Sequence, residues 1–279
     1  MFNNILKGFS LFLISFVLFS CSSSDDTDET CCDVYPSETR KFISKIYFES
    51  TANDLDEYIY DYDSNSNLIS INKNESLVTF VYTGNKITRA EVTNLVTGEL
   101  INYVNYFYNP EGLLDYYEGD YQFSRVVKYT YENQRVVKYH SYLSLTDLEN
   151  NNYVRYVDAF YNDNTNNIVE FKAYNSNGEL ERRSTRSFGA ENKRYFGEAA
   201  ELINMPYSNQ ILESFNYYSN NNLKGWRTYP NSTELILYRE SSFVNDDEGY
   251  CLIWKLDYYN TTSGEVELTY TKTYEYIEL

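Results

Sequence analysis

Few residues in this chain have the type and spacing that chemistry requires. The one histidine, His140, sits in Lys138-Tyr139-His140-Ser141-Tyr142. A general base there needs an orienting acid and a nucleophile brought close by the fold, and nothing local supplies either. No GxSxG, HExxH, phosphate loop or GxGxxG is present, so no catalytic residue is assigned. Paired carboxylates of the kind that hydrolyse glycosides are always available among 41 acidic residues, which strips that signal of meaning. Asp61-Tyr62-Asp63-Ser64-Asn65 begins like a calcium loop, but Ser66 and Asn72 stand where glycine and glutamate are needed. Asn162-Asp163-Asn164 and Asn245-Asp246-Asp247-Glu248 are read as turns in the same way. No metal and no cofactor is expected. The aromatics are the better functional clue. Trp226, Trp254, Tyr103 and Tyr117 are candidates for stacking on a ligand, because Tyr103, Phe107 and Tyr117 fall on the opposite strand parity from Tyr106, Tyr108 and Tyr116.

The elements that must position these residues follow from composition. The 279 residues carry a formal charge of −18 and include 32 Tyr, 16 Phe and only 4 Pro. An acidic chain without a basic patch is a poor ligand for phosphate backbones, so nucleic acid is excluded as a partner. With 42% hydrophobic residues the chain can bury a core, which places it outside the disordered class.

A pattern of aromatic, any residue, Tyr, a polar turn and an aliphatic recurs seven times. Four copies are close: Tyr60-Asp61-Tyr62 to Leu68, Phe80-Val81-Tyr82 to Ile87, Tyr106-Phe107-Tyr108 to Leu113, and Tyr129-Thr130-Tyr131 to Val136. Three looser ones run from Ala159-Phe160-Tyr161 to Ile168, Lys172-Ala173-Tyr174 to Leu180 and Phe215-Asn216-Tyr217 to Leu223. Asn, Gly and Pro in the intervening turns make each unit a β-hairpin, with Tyr58, Tyr60 and Tyr62 on one face. Such rings stack across neighbouring hairpins, at roughly 0.2 to 1 kcal/mol per pair. Glu198-Ala199-Ala200-Glu201-Leu202-Ile203, before Pro206, predicts one short helix near residues 198–204. Three long alternating segments from Leu235 onward are expected to end the sheet. The expected fold is all-β: a single antiparallel meander of repeated hairpins forming an open, twisted sheet.

The N-terminus carries an address. Lys7 precedes an apolar run of about 13 residues ending at Ser20, shorter than the ~18 residues a spanning helix needs. It reads as a cleaved signal peptide, residues 1–20. Leu18-Phe19-Ser20-Cys21 resembles the bacterial lipoprotein box, which implies lipidation at Cys21 and attachment to the membrane through that lipid. Loss of Lys7 takes the charge from −18 to −19. Residues 21–40 form an acidic tether, with Asp25, Asp26, Asp28 and Glu29 behind the cysteine. That arrangement resembles the export signal of surface lipoproteins in Bacteroidetes-type outer membranes, so surface display on the outer membrane is expected. The domain follows as residues 41–279. Of the remaining cysteines, Cys31 or Cys32 could bridge to Cys251, contributing roughly 4 kcal/mol by loop closure, the alternative being free thiols.

Tyr60-Asp61-Tyr62-Asp63-Ser64-Asn65-Ser66-Asn67-Leu68 resembles the YD-repeat, or RHS-like, hairpin arrays of bacterial surface and secreted proteins. The resemblance covers about residues 45–225. With the lipoprotein box it implies a Bacteroidetes-type envelope lipoprotein acting as a non-enzymatic binding or structural module, with glycan or protein as partner. A glycan hydrolase using paired carboxylates and an RHS-related secreted component are the competing readings.

Overall fold

The computed structural model describes residues 41–51, 53–119, 125–162, 164–165, 167–192, 221–230, 235 and 237–279. Sixteen strands run antiparallel in chain order. They are β1 (Lys41–Ser50), β2 (Asn53–Tyr62), β3 (Leu68–Lys73), β4 (Ser76–Thr83), β5 (Lys86–Asn94), β6 (Leu100–Tyr108), β7 (Leu114–Gly119) and β8 (Val126–Glu132). The second half comprises β9 (Arg135–Tyr142), β10 (Arg155–Asn162), β11 (Asn167–Asn175), β12 (Leu180–Asn192), β13 (Asn221–Pro230), β14 (Leu237–Asn245), β15 (Cys251–Tyr259) and β16 (Val266–Glu278). The helix among the described residues is α1 (Leu145–Glu149), capped by Ser144, whose side chain accepts from the Asp147 amide. The helix expected near 198–204 lies outside the described residues.

The sheet is closed, which corrects the open meander expected from the sequence. β16 returns to β1 and pairs with it from Lys41↔Glu278 to Ser50↔Tyr270. Among the described residues every strand therefore has two neighbours and no edge is left unpaired. The seam joins residues more than 200 positions apart, and no local pattern announces a pairing of that range.

Six of the seven sequence repeats are each one hairpin, and the structure shows what couples five of them to their neighbours; the seventh, from Phe215 to Leu223, begins outside the described residues. The trailing Tyr of a unit sits at a register shift: Tyr62 opposite Leu68, Tyr82 opposite Ile87, Tyr108 opposite Leu114, Tyr131 opposite Val136 and Tyr161 opposite Ile168. Each of these β-bulges sets the phenol to reach the neighbouring unit. The hydroxyl of Tyr82 donates to the Leu68 carbonyl at 2.9 Å, that of Tyr108 to Ile87 at 2.8 Å, Tyr131 to Leu114 at 2.8 Å and Tyr161 to Val136 at 2.9 Å. Tyr62 makes the same bond to Ile43 and Tyr276 to Cys251. The third unit is anchored on Leu114 rather than Leu113.

Four of the turns share one geometry. Oδ1 of Asp63 accepts the amides of Asn65 and Asn67, that of Asn109 the amides of Glu111 and Leu113, that of Asn175 those of Asn177 and Glu179, and that of Asp246 those of Glu248 and Tyr250. Three residues after each Asp or Asn the backbone turns left-handed, at Ser66 (φ 63°), Gly112 (80°), Gly178 (80°) and Gly249 (85°). Asp246, in a segment read from sequence as a turn, thus begins a turn of the same family, one that lies outside the seven repeats because Asn245 replaces the preceding Tyr.

Inward positions of β3 to β11 form one apolar core, including Leu68, Ile71, Val78, Val104, Val136, Val157, Ile168 and Phe171. Interior tyrosines join it, with Tyr106–Tyr117, Tyr117–Tyr129 and Tyr129–Tyr139 ring centroids 6.3 to 6.5 Å apart. A second cluster of Ile43, Ile46, Cys251 and Tyr274 lies under the seam. Burial raises the phenol pKa values of Tyr117, Tyr129, Tyr139 and Tyr274.

Candidate functional site

A barrel of this size can present three surfaces to a ligand: its interior, its ends and its outer wall. The interior changes character from β12 onward. Ser184, Arg186, Thr228 and Arg239 are buried there, with Ser184 and Thr228 hydroxyls 3.2 Å apart. The guanidinium of Arg186 lies 4.3 Å from the centre of the Phe171 ring and that of Arg239 4.4 Å from Tyr258. Lys73 also faces inward, over the Tyr58 ring at 5.0 Å, and burial, reinforced by Lys272, lowers its pKa to about 8.

The outer wall carries ion pairs beside scattered exposed apolar side chains such as Ile69, Val81 and Phe160. Lys45 pairs with Glu57, Lys128 with Asp115, Lys138 with Asp158, Lys172 with Glu170 and Lys255 with Asp257, at 2.9 to 3.5 Å. Such exposed pairs contribute little stability but keep the wall wetted. A membrane-spanning barrel needs the reverse arrangement, an apolar outward band about 25 Å tall around a polar interior. Here Val78, Ala90, Val104, Val127, Val157 and Phe171 point in, while Thr79, Glu91, Asn105, Lys128, Asp158 and Lys172 point out. No helix among the described residues is long and apolar enough to cross a membrane.

One part of that wall is aromatic. Following the register across β6 to β11, Phe107 faces Tyr116, Tyr116 faces Lys128, Lys128 faces His140, His140 faces Tyr156 and Tyr156 faces Tyr174. Six residues on six consecutive strands thus form one row, about 24 Å long at the usual strand spacing. The rings are held in place by each other. Phe107 and Tyr116 stack at 4.3 Å, Tyr156 and Tyr174 at 4.8 Å, and Tyr153, from the β9–β10 connection, lies 4.8 Å from His140. Phe107 is 37% exposed and the other five are half-buried.

The row contains His140, read from sequence as a strand residue without partners for catalysis. Its ring is flanked by Tyr142, Tyr153 and Tyr156, and its pKa is lowered by burial and by Lys138 against an opposing pull from Asp158. Tyr103 is outward and half-buried, under the Arg89 guanidinium at 4.8 Å, and lies beside the row on β6. Tyr117 faces inward opposite Tyr106 and is 5% exposed. The expected parity is reversed for Tyr116 and Tyr117, because the bulge at Tyr108 shifts β7 by one residue. Trp254 packs against the seam cluster with Lys272 4.8 Å from its ring. Trp226 lies in register between Arg186 and Arg239, and its side chain is outside the described residues. Cys251 is a buried free thiol, its pKa pushed up to about 12 by burial, while Cys21, Cys31 and Cys32 lie outside the described residues. Phe107, Tyr116, Tyr156 and Tyr174 were missed as site residues; alternation within β6 already marked Phe107, but only register joins it to the others.

Among the described residues, Asp63, Asp147, Asp246 and Asp257 have their pKa values lowered. Hydrogen bonds from the Asn67 side chain and amide lower Asp63, and those from Ser144 and Asn152 lower Asp147. Burial opposes the shift at Asp246 and Asp257, where bonds from Lys41 and from Thr269 prevail. No group of three His, Cys, Asp or Glu residues suited to a metal occurs among the described residues.

No protein-family model and no curated protein matches the sequence. Among solved structures, the chain is similar to a porin-like protein from Bacteroides uniformis, with 13% identity and a TM-score of 0.53 over 84% of this chain and 98% of that one. A porin-like protein from Bacteroides vulgatus matches with 10% identity and a TM-score of 0.42 over 86% and 100% of the two chains. The toxin complex TcdB2-TccC3-Cdc42 matches 77% of this chain at a TM-score of 0.32, over 10% of its own chain. At these identities the first likeness is one of fold: a closed antiparallel β-barrel.

Proposed function

We propose that this chain is a lipid-anchored β-barrel of the outer membrane, displayed at the cell surface, that acts as a non-catalytic binding module. The observation that carries the reading is the alternation along β3 to β11, where an apolar inner face backs an outer face of Thr79, Glu91, Asn105, Lys128, Asp158 and Lys172, the reverse of a wall made for lipid. A water-borne barrel needs a separate attachment, and the Cys21 box supplies one, with acyl chains providing the apolar burial that the wall lacks. The aromatic row gives the wall a place where a partner can lose water against preordered rings.

The test is made in a Bacteroidetes-type host. An alkyne fatty acid fed to cells expressing the full chain should label the protein, and Cys21→Ala should abolish the label and release the protein from outer-membrane vesicles. Protease added to intact cells should then degrade the labelled form. Retention of the Cys21→Ala chain in the membrane after a carbonate wash would mean that the barrel itself is embedded, and would overturn the reading.

A further inference from the structure

We infer that the outward row Phe107, Tyr116, Lys128, His140, Tyr156 and Tyr174 is a binding track for an uncharged, unbranched glycan chain lying across the strands. This rests on the reading of the chain as a non-catalytic surface module and names the ligand class for that surface. Three observations select the occupant. The first is shape: the row is six residues long and one residue wide, which suits a linear polymer rather than a compact ligand. Its pitch is set by the strands at about 4.8 Å, close to the advance of one sugar ring in an extended chain, so successive sugars can meet successive side chains.

The second is charge. Each lysine on or beside the row is already engaged by a carboxylate: Lys128 by Asp115, Lys138 by Asp158 and Lys172 by Glu170. Glu118 adds a further acid on β7, and the chain as a whole carries −18. An anionic polymer would have to displace these carboxylates, whereas a neutral one meets hydroxyl and ring surfaces without desolvating an unpaired charge. The third is preorganisation. The stacked pairs Phe107/Tyr116 and Tyr156/Tyr174, with Tyr153 against His140, fix the rings before any ligand arrives, so binding freezes few rotamers. Phenol and imidazole groups along the row can exchange hydrogen bonds with sugar hydroxyls while the rings contact their C–H faces.

The full lipidated chain, purified in detergent, is titrated with a panel of uncharged unbranched hexasaccharides built from glucose, mannose or xylose, with the corresponding disaccharides and with a uronic-acid hexamer. At least one neutral hexamer should bind, more tightly than its disaccharide by tenfold or more, and the uronic-acid hexamer should bind at least tenfold more weakly. Tyr116→Ala and Tyr156→Ala should each weaken the hexamer at least tenfold, whereas Phe160→Ala, which leaves all six row residues in place, should leave it within twofold. Thermal melts of every variant show that the barrel is intact. Failure of all neutral hexamers to bind the folded chain, or binding indifferent to Tyr116→Ala and Tyr156→Ala, would overturn the inference, as would tighter binding of the uronic-acid hexamer. A row mutation that instead costs a co-purifying protein partner, with no sugar bound, would overturn it in favour of a protein surface. Cleavage of the hexamer, read by mass, would sink the non-catalytic reading while leaving the track in place, so the two failures are distinguishable.

Discussion

The trailing tyrosine of the first five repeats has two separable roles, a ring that fills space near the core and a hydroxyl that ties one hairpin to a neighbouring strand. Tyr108 shows both: its ring packs against the apolar cluster and its hydroxyl donates to the Ile87 carbonyl at 2.8 Å. Tyr108→Phe should therefore cost about 1 kcal/mol, the net worth of one hydrogen bond, and Tyr108→Ala about 3 to 5 kcal/mol, the cost of losing a large packed ring. Urea unfolding resolves the two, and equal losses would show that the tie carries nothing beyond the ring. Lys73 makes a residue-scale prediction of opposite sign. Its folded pKa, near 8, is below the unfolded value, so the unfolded chain binds the extra proton between those limits and stability rises with pH through that window. Lys73→Met should raise the melting temperature at pH 7, and the advantage should shrink as pH climbs toward 10. A gain independent of pH would assign the effect to packing instead of charge.

At the scale of the hairpin, the sequence was legible wherever the signal was local. The spacing of Tyr62, Tyr82, Tyr108 and Tyr131 from their aliphatic partners is a property of one strand, one turn and the next strand, and it located those hairpins. Inward placement of Tyr58, Tyr60 and Tyr62 followed from alternation alone. What alternation misses is the bulge: a single inserted residue at Tyr108 exchanges the faces of Tyr116 and Tyr117, so a core residue was read as a surface candidate. The turns give a further test. Ser66 occupies the left-handed slot that glycine fills at Gly112, Gly178 and Gly249, at a cost glycine avoids. Ser66→Gly should stabilise the chain and Gly178→Ala destabilise it, each by about 1 kcal/mol, measured by chemical denaturation. Opposite signs at the two sites are the informative result, since a general effect of glycine on the unfolded chain would lower stability at Ser66 instead.

At the scale of the molecule, closure is the property that no repeat contains. An open array of hairpins would leave β1 and β16 with bare edges, and the alternating pattern of β16 is the same whether its partner is solvent, another chain or β1. The aromatic row lies on β6 to β11, away from the seam that joins the two ends of the domain. Closure has a direct chemical test. Lys45 and Glu275 are directly opposed across the seam, at outward positions where new side chains disturb little. Opposed residues in an antiparallel pair lie about 4.5 to 5.5 Å apart at Cα, within disulfide range. The double variant Lys45→Cys, Glu275→Cys should cross-link under mild oxidation in dilute protein, giving one disulfide-linked peptide pair by mass spectrometry and a monomer on non-reducing gels. Lys45→Cys, Asp257→Cys, whose second cysteine lies on β15, should not form that link. Cross-linking only between molecules, rising with concentration, would mean that β1 and β16 meet across two chains and that the barrel closes by exchange.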